Sequence, residues 1–161
     1  MLIAVLSDCH DNIWNLQKVL PRLEKVDVVL CCGDFCAPFM LATLAAGFPR
    51  PIHAVFGNND GDEFLMLTVA GKAGNVTFHK PIAQLELDGK RIAVAHYPEI
   101  GEALALCGKY DAVFSGHNHE QHVVTVGSTL WGNPGEVMGR FGKPSFGLYD
   151  TATNQFEIVP V

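Results

Sequence analysis

Seven side chains of metal-binding type lie in five short blocks along the chain. They are Asp8 and His10 in Asp8-Cys9-His10, Asp34 after Gly33, Asn58 in Gly57-Asn58-Asn59-Asp60, His96, and both histidines of Gly116-His117-Asn118-His119. Mixed nitrogen and oxygen donors of this kind suit Mn²⁺, Fe or Zn²⁺ better than Ca²⁺ or a sulfur-seeking ion. Taken singly, each block is weak. Asp-x-His in a turn is a common accident, and Gly-Asp is ordinary turn chemistry, although Gly33 also lets the backbone turn sharply and bring the Asp34 carboxylate close. The polar run at 57–60 has the composition of a helix N-cap, with Asp60 near the positive end of the dipole. A lone His96 reads best as a satisfied core histidine, and His117 and His119 fit alternation on a surface strand as well as a metal fork. Together, in this order, the blocks suggest one site for two divalent cations, whose chemistry is chiefly the hydrolysis of phosphate esters.

The elements that must position these residues follow from the hydrophobic pattern. Residues 2–6 (LIAVL) form a short apolar run with the signature of a buried strand, ending at Ser7-Asp8. Residues 12–25 carry Ile13, Leu16, Val19, Leu20 and Leu23 at helical spacing, with Asp11 or Asn12 placed to cap them. Pro21 kinks that helix or ends it early. Residues 26–32 predict a second strand ending at Gly33-Asp34, 37–46 a helix broken by Gly47 to Pro51, and 52–56 a third strand ending at Gly57-Asn58. Residues 60–70 read as loop. Runs at 82–87 and 91–95 flank Asp88-Gly89-Lys90, a strong hairpin signal. A helix near 99–107 precedes a strand at 111–115, and 122–161 holds short strand-like runs separated by Gly, Pro and Asn. Asp8, Asp34, Asn58, His96 and His117 each follow a predicted strand by one or two residues. The carboxyl ends of strands line the binding crevice of open α/β sheets, so the pattern itself points to a shared site. No repeat, low-complexity tract or linker interrupts the chain, and residues 1–161 read as a single domain.

Composition narrows the partners. The 161 residues are 48% hydrophobic and 17% charged, enough for a core and too apolar for disorder. The net charge is −6, and the 11 Lys and Arg never cluster, which disfavours a nucleic-acid polymer as partner. No apolar run approaches the roughly 18 residues of a membrane span, so no membrane partner is expected. The first residues lack the basic region of a signal peptide. Cys9, Cys31, Cys32, Cys36 and Cys107 make an odd count, read as reduced thiols of a cytoplasmic protein. Cys32 and Cys36 have no second pair at zinc-site spacing and read as small buried core residues. Oligomeric state stays open, a homo-oligomer included.

The series D-x-H, G-D, G-N-x-D, H, G-H-x-H resembles the calcineurin-like metallophosphoesterase family, in particular its small single-domain bacterial and archaeal branch, which shares its fold with a retromer subunit. The motifs span residues 8 to 119, with no ligand position missing. The resemblance implies a four-layer α/β/β/α sandwich. It assigns Asp8, His10 and His119 to one ion and Asn58, His96 and His117 to the other. Asp34 is shared by both, and Asp34, Asn58 and His96 also take part in catalysis. A shared anion makes physical sense, because two divalent cations about 4 Å apart repel by roughly 17 kcal/mol at an effective dielectric near 20. The family favours Mn²⁺, with Fe, Zn or Ni as alternatives. The implied reaction is hydrolysis of a small phosphodiester by a two-metal, bridging-hydroxide mechanism. The alternatives are a non-catalytic interaction scaffold of the same fold, a phosphomonoesterase or a nuclease.

Several positions depart from the family pattern. Many members carry His after the motif Asn, where it protonates the leaving group; here Asn59 stands and cannot act as an acid near neutral pH. That favours diesters with good leaving groups. Asp60 is retained as an orienter of the site. Tyr97 follows His96 where Gly is usual, and the later Asn-Pro-Gly-Ser motif reads Asn133-Pro134-Gly135-Glu136. Arg140 is a candidate phosphate contact, although a solvated Arg fits as well. His122 reads as a strand-face residue, and His53 and His79 have no place in the scheme.

Overall fold

The computed structural model describes residues 1–161. Strand β1 (Leu2–Leu6) shows the alternation that builds the molecule: Ala4 and Leu6 face one apolar core, Ile3 and Val5 another. The same division holds in β2 (Val28–Cys31), where Val29 and Cys31 face the first core and Val28 and Leu30 the second. A strand with no polar face must be covered on both sides. Helices α1 (Ile13–Val19), α2 (Pro38–Gly47) and α3 (Glu63–Ala73) cover the first side through Leu16, Val19, Met40, Leu41, Leu44 and Met66.

The other side is covered by a second sheet. The first sheet has six strands in the order β11-β10-β1-β2-β3-β4, adding β3 (Ile52–Val55), β4 (Val76–His79), β10 (Ser145–Asp150) and β11 (Gln155–Pro160). Strands β1 to β4 run parallel, and β10 and β11 close one edge antiparallel. The second sheet has the order β5-β6-β7-β9-β8, with β5 (Ala83–Leu87), β6 (Lys90–Val94), β7 (Ala112–Phe114), β8 (His122–Val126) and β9 (Thr129–Asn133). Ile92, Val94, Phe114 and Leu130 of this sheet meet Ile3, Val5, Leu30 and Val55 of the first. Helix α4 (Pro98–Leu106) seals the outer face through Ala105 on Ala93 and Val113. The result is the four-layer α/β/β/α sandwich expected from the resemblance.

Local signals set most element ends. The Asn12 side chain caps α1 by accepting from the Asn15 N–H at 3.1 Å, and the α-helix stops at Val19, with Leu20–Leu23 around Pro21 tightened to 3-10 geometry. Asp88 and Gly89, with φ of +51° and +73°, make the two-residue turn of the β5–β6 hairpin. The expectation that 60–70 is loop is corrected. Asp62 caps α3 through the Leu65 N–H, and the helix runs to Ala73 before Gly74 ends it at φ +76°. Helix α3 was hidden because Phe64, Leu65 and Leu67 on it are exposed, so its apolar residues do not sit on one face. Strand β4, also absent from the sequence reading, exists because it pairs in parallel with β3. No helix is long and apolar enough to cross a membrane.

Candidate metal centre

The blocks Asp8-x-His10, Asp34 and Asn58 follow β1, β2 and β3 of the first sheet, and His96 and His117-x-His119 follow β6 and β7 of the second. All five strands are parallel within their sheets, so each releases its chain at the carboxyl end. The two sheets are stacked so that these ends meet. A hydrogen bond from the Asp8 N–H to the Gly33 carbonyl (3.1 Å) ties the β1 turn to the β2 turn. Another, from the Gly116 N–H to the His96 carbonyl (2.9 Å), ties the β7 turn to the β6 turn.

The turns are unusual. Asp8, His10, Asp34, His117 and His119 all have positive φ, between +40° and +71°. Side chains other than Gly rarely adopt this region, and such residues cluster where the surrounding structure fixes them for a purpose. Two glycines permit the close approach. A Cβ on Gly57 would lie 2.1 Å from Asp34 Oδ1, and one on Gly116 would lie 1.8 Å from Ser7 Oγ.

Two groups of ligand atoms result, each within 4.8 Å of one another: Asp8, His10 and His119, and Asp8, Asp34 and His96. Asp34 presents Oδ2 to His10 Nε2 at 3.4 Å and Oδ1 to His96 Nε2 at 3.6 Å, one oxygen toward each group. Asn58 Oδ1 lies 2.9 Å from His96 Nε2. The His117 ring packs edge-on against His96 at 5.0 Å, and its backbone N–H donates to Asp8 Oδ2. All seven ligand-type residues therefore gather at one place. Arg140 is exposed and forms no ion pair; its guanidinium lies 5.1 Å over the Phe141 ring, which packs edge-on against His119 at 5.1 Å.

The hydrogen bonds decide which lone pairs point inward. His96 Nδ1 is 2.7 Å from the Cys32 carbonyl, which can only accept, so Nδ1 carries a proton and Nε2 is the nitrogen turned toward the site. His119 Nδ1 donates to Glu136 Oε2 at 2.8 Å, which turns its Nε2 lone pair toward Asp8 Oδ1 at 3.5 Å. Asp8 Oδ1, His10 Nε2 and His117 Nδ1 are buried without a hydrogen-bond partner. An unsatisfied buried polar atom costs about 1–3 kcal/mol, and three in one place, all lone-pair donors, fit a divalent cation. Burial works against ionisation of Asp8, but His10, the Ser7 hydroxyl and the nearby imidazoles outweigh it and hold its carboxyl below the usual range. The Asp8 carboxylate in turn raises the His10 pKa, with Asp34 adding to the effect against burial.

The supporting residues other than Asp60 are the part that the sequence did not reveal. Glu136, 1% exposed, orients His119, and its Oε1 accepts from the Phe141 and Gly142 N–H groups at 2.6 Å. Its carboxyl lies low because His119 and these backbone donors overcome burial. A Glu inside Gly135-Glu136-Val137, between buried neighbours, was the available signal. Cys36 corrects the reading of it as a core residue: it is half-buried at the site, with Sγ 3.3 Å from His10 Nδ1. Burial and the surrounding carboxylates push its thiol up to about 12, so it stays neutral. Asn59 donates its backbone and side-chain N–H groups to the two Asp34 oxygens, both at 2.8 Å. Asp60 accepts from the N–H groups of Gly57, Asp34 and Cys36 and so knits two turns, whereas the cap of α3 is Asp62. Asn133, fully buried, donates to the Gly116 carbonyl and to Asn118 Oδ1, bracing the turn that carries His117 and His119. His122 packs its ring on Trp131, and His53 pairs with His79, both outside the cluster.

Residues 1–154 match the model of the calcineurin-like phosphoesterase superfamily domain. The chain belongs to that superfamily. It is 30% identical to phosphodiesterase MJ0936 of Methanocaldococcus jannaschii, over 99% of each chain. Among solved structures it superimposes on an archaeal phosphodiesterase with a TM-score of 0.93 at 28% identity, covering 100% of both chains. Vps29 of Entamoeba histolytica shares the fold at a TM-score of 0.71 and 20% identity, covering 100% of this chain and 99% of that one.

Proposed function

We propose that the protein is a metal-dependent phosphodiesterase that hydrolyses small phosphodiesters in the cytoplasm, with Mn²⁺ as its working ion. The observation that carries this reading is the orientation of the imidazoles. His96 and His119 each spend Nδ1 on a fixed acceptor, so their Nε2 lone pairs meet Asp34 and Asp8. Histidines that ligate metals are held in this way by a carbonyl or carboxylate on the second nitrogen. The unpaired state of all five cysteines agrees with a reducing compartment.

In this reading Asp8, His10 and His119 hold one cation, Asn58, His96 and His117 a second, and Asp34 both. Bound divalent cations supply Lewis acidity to phosphoryl oxygens and bring the pKa of water from 15.7 to about 7. The protein's part is position. Asn59 keeps the Asp34 carboxylate in one orientation by donating to both of its oxygens. A carboxamide does not release a proton near neutral pH, so Asn59 cannot protonate the leaving group, which matches a substrate whose leaving group departs without a strong acid. A diester of a phenol or similar alcohol meets that requirement. The relatives called phosphodiesterases share this chain's full length, whereas the likeness to Vps29 is one of fold.

Hydrolysis of bis-p-nitrophenyl phosphate, measured with and without Mn²⁺, tests the reading. Turnover that requires the ion is expected. No turnover with Mn²⁺, Fe²⁺, Ni²⁺ or Zn²⁺ would replace it with the interaction scaffold.

A further inference from the structure

A cavity of about 190 Å³ opens beside the candidate metal centre and shares His96 with it. Half of its lining is apolar or aromatic, Phe56, Pro81, Tyr97 and Ile100, and the rest is Gly57, Glu63, Lys80 and His96. Phe56 is fixed by stacking on Phe78, at 4.1 Å between ring centroids and 6° between planes. Tyr97 is fixed edge-on against both His96 and His117, at 5.1 and 4.8 Å. On the exposed side stands one ion pair, Lys80 Nζ to Glu63 Oε2 at 2.8 Å. The Lys80 ammonium also lies 5.6 Å over the Phe56 ring. None of these residues other than His96 belongs to the ligand set.

Size limits the occupant. Sites for whole drug-sized ligands run to roughly 300–1,000 Å³, so this cavity takes part of a substrate. A cavity of about 150 Å³ is enough for benzene, so it takes one ring system. Chemistry limits it further. Rigid aromatic walls favour a flat group over a flexible chain. A sugar needs many hydroxyl partners, and only one ion pair is at hand. That pair offers an acceptor at Glu63 and donors at Lys80 side by side, which matches a heterocycle carrying both N–H and carbonyl on one edge.

We propose that this cavity seats one ester group of the diester, and that the group is a nucleoside whose base enters between Phe56 and Tyr97 and meets Glu63 and Lys80. The inference rests on the phosphodiesterase reading and deepens it. The substrate would then be a small nucleotide diester rather than a polymer, since the cavity holds a single base.

Binding of thymidine 5′-monophosphate and of ethyl phosphate to the Mn²⁺-loaded protein, by calorimetry, separates base from phosphate. A preference of about tenfold for the nucleotide is expected, the scale of one stacked base, and Ile100→Trp, which fills the cavity, should abolish it. Glu63→Gln provides a second arm on the surface and should reduce the preference if Ile100→Trp does not fold. Equal affinity of the wild type for the two ligands, or a preference that both variants keep, overturns the proposal. Binding of ethyl phosphate reports on the metal centre alone, and turnover of bis-p-nitrophenyl phosphate reports on the phosphodiesterase reading. If both are absent, the phosphodiesterase reading fails and the base pocket falls with it. If both are present without a nucleotide preference, only the pocket fails.

Discussion

The molecule contains two places where histidines meet, and they differ in what surrounds them. At the strand ends, His10, His96, His117 and His119 lie among the buried carboxylates Asp8 and Asp34, and each of His10, His96 and His119 has a partner on Nδ1 that leaves Nε2 facing inward. Across β3 and β4, His53 Nδ1 and His79 Nε2 lie 3.1 Å apart and satisfy each other, with no carboxylate beside them. The electrostatic consequence is opposite. Asp8 raises the His10 pKa, whereas burial lowers those of His53 and His79, the neighbouring ring adding to the effect on His53. Imidazole chemistry is the same in both places. Anionic neighbours and unshared lone pairs make one of them a candidate centre, and mutual pairing makes the other structural.

The comparison can be broken most severely at Asp34. Asp34→Asn removes the charge that faces both groups and should lower metal-dependent turnover about a thousandfold, while a double substitution of His53 and His79 by Gln should leave turnover near wild type. Steady-state hydrolysis of bis-p-nitrophenyl phosphate measures both, and comparable losses would erase the distinction. Glu136→Gln keeps the shape but weakens the anchor on His119; a loss of about 10–100-fold in Mn²⁺ affinity is expected, the range for groups that orient a ligand, read by calorimetry. Cys36→Ala frees His10 Nδ1 and should cost only a few-fold in the same measurement, because a neutral thiol is a weak partner.

The smallest effect concerns pH. The folded pKa values of His53 and His79 lie below the ordinary value of about 6.5. Below that value the unfolded chain binds more protons than the folded one. The pair's contribution to stability is therefore fully present above about pH 6.5 and is lost as pH falls through the depressed folded values. The double Gln variant should flatten this part of the pH dependence, seen in urea midpoints above and below about pH 6.5. An unchanged slope would show that the pair stays uncharged for another reason.

Much of the architecture could be read along the chain because its signals are local. Apolar runs ending in polar turns marked β1, β2, β3, β6 and β7, the strands that carry the ligand-type residues, and Asp88-Gly89 marked the hairpin. Helix α3 escaped because its outer face is apolar: Phe64 is 82% exposed. Strand β4 escaped because its burial is only partial and its stability comes from pairing with β3, a neighbour distant in sequence.

The sequence by itself determined which side chains are available and in what order they leave the strands. Metal-type ligands are a narrow set of residue types, and a site that needs them must spend them visibly. Tertiary structure decided how they point. The groups that aim the ligands are a backbone carbonyl at Cys32, a thiol at Cys36, an amide at Asn59 and a carboxylate at Glu136. These are ordinary groups whose meaning comes from contact alone. His96 and Cys32 are 64 residues apart, so no local pattern could pair them. Stacking of the two sheets supplies that pairing, since their buried apolar faces bring the two sets of strand ends into register at one edge.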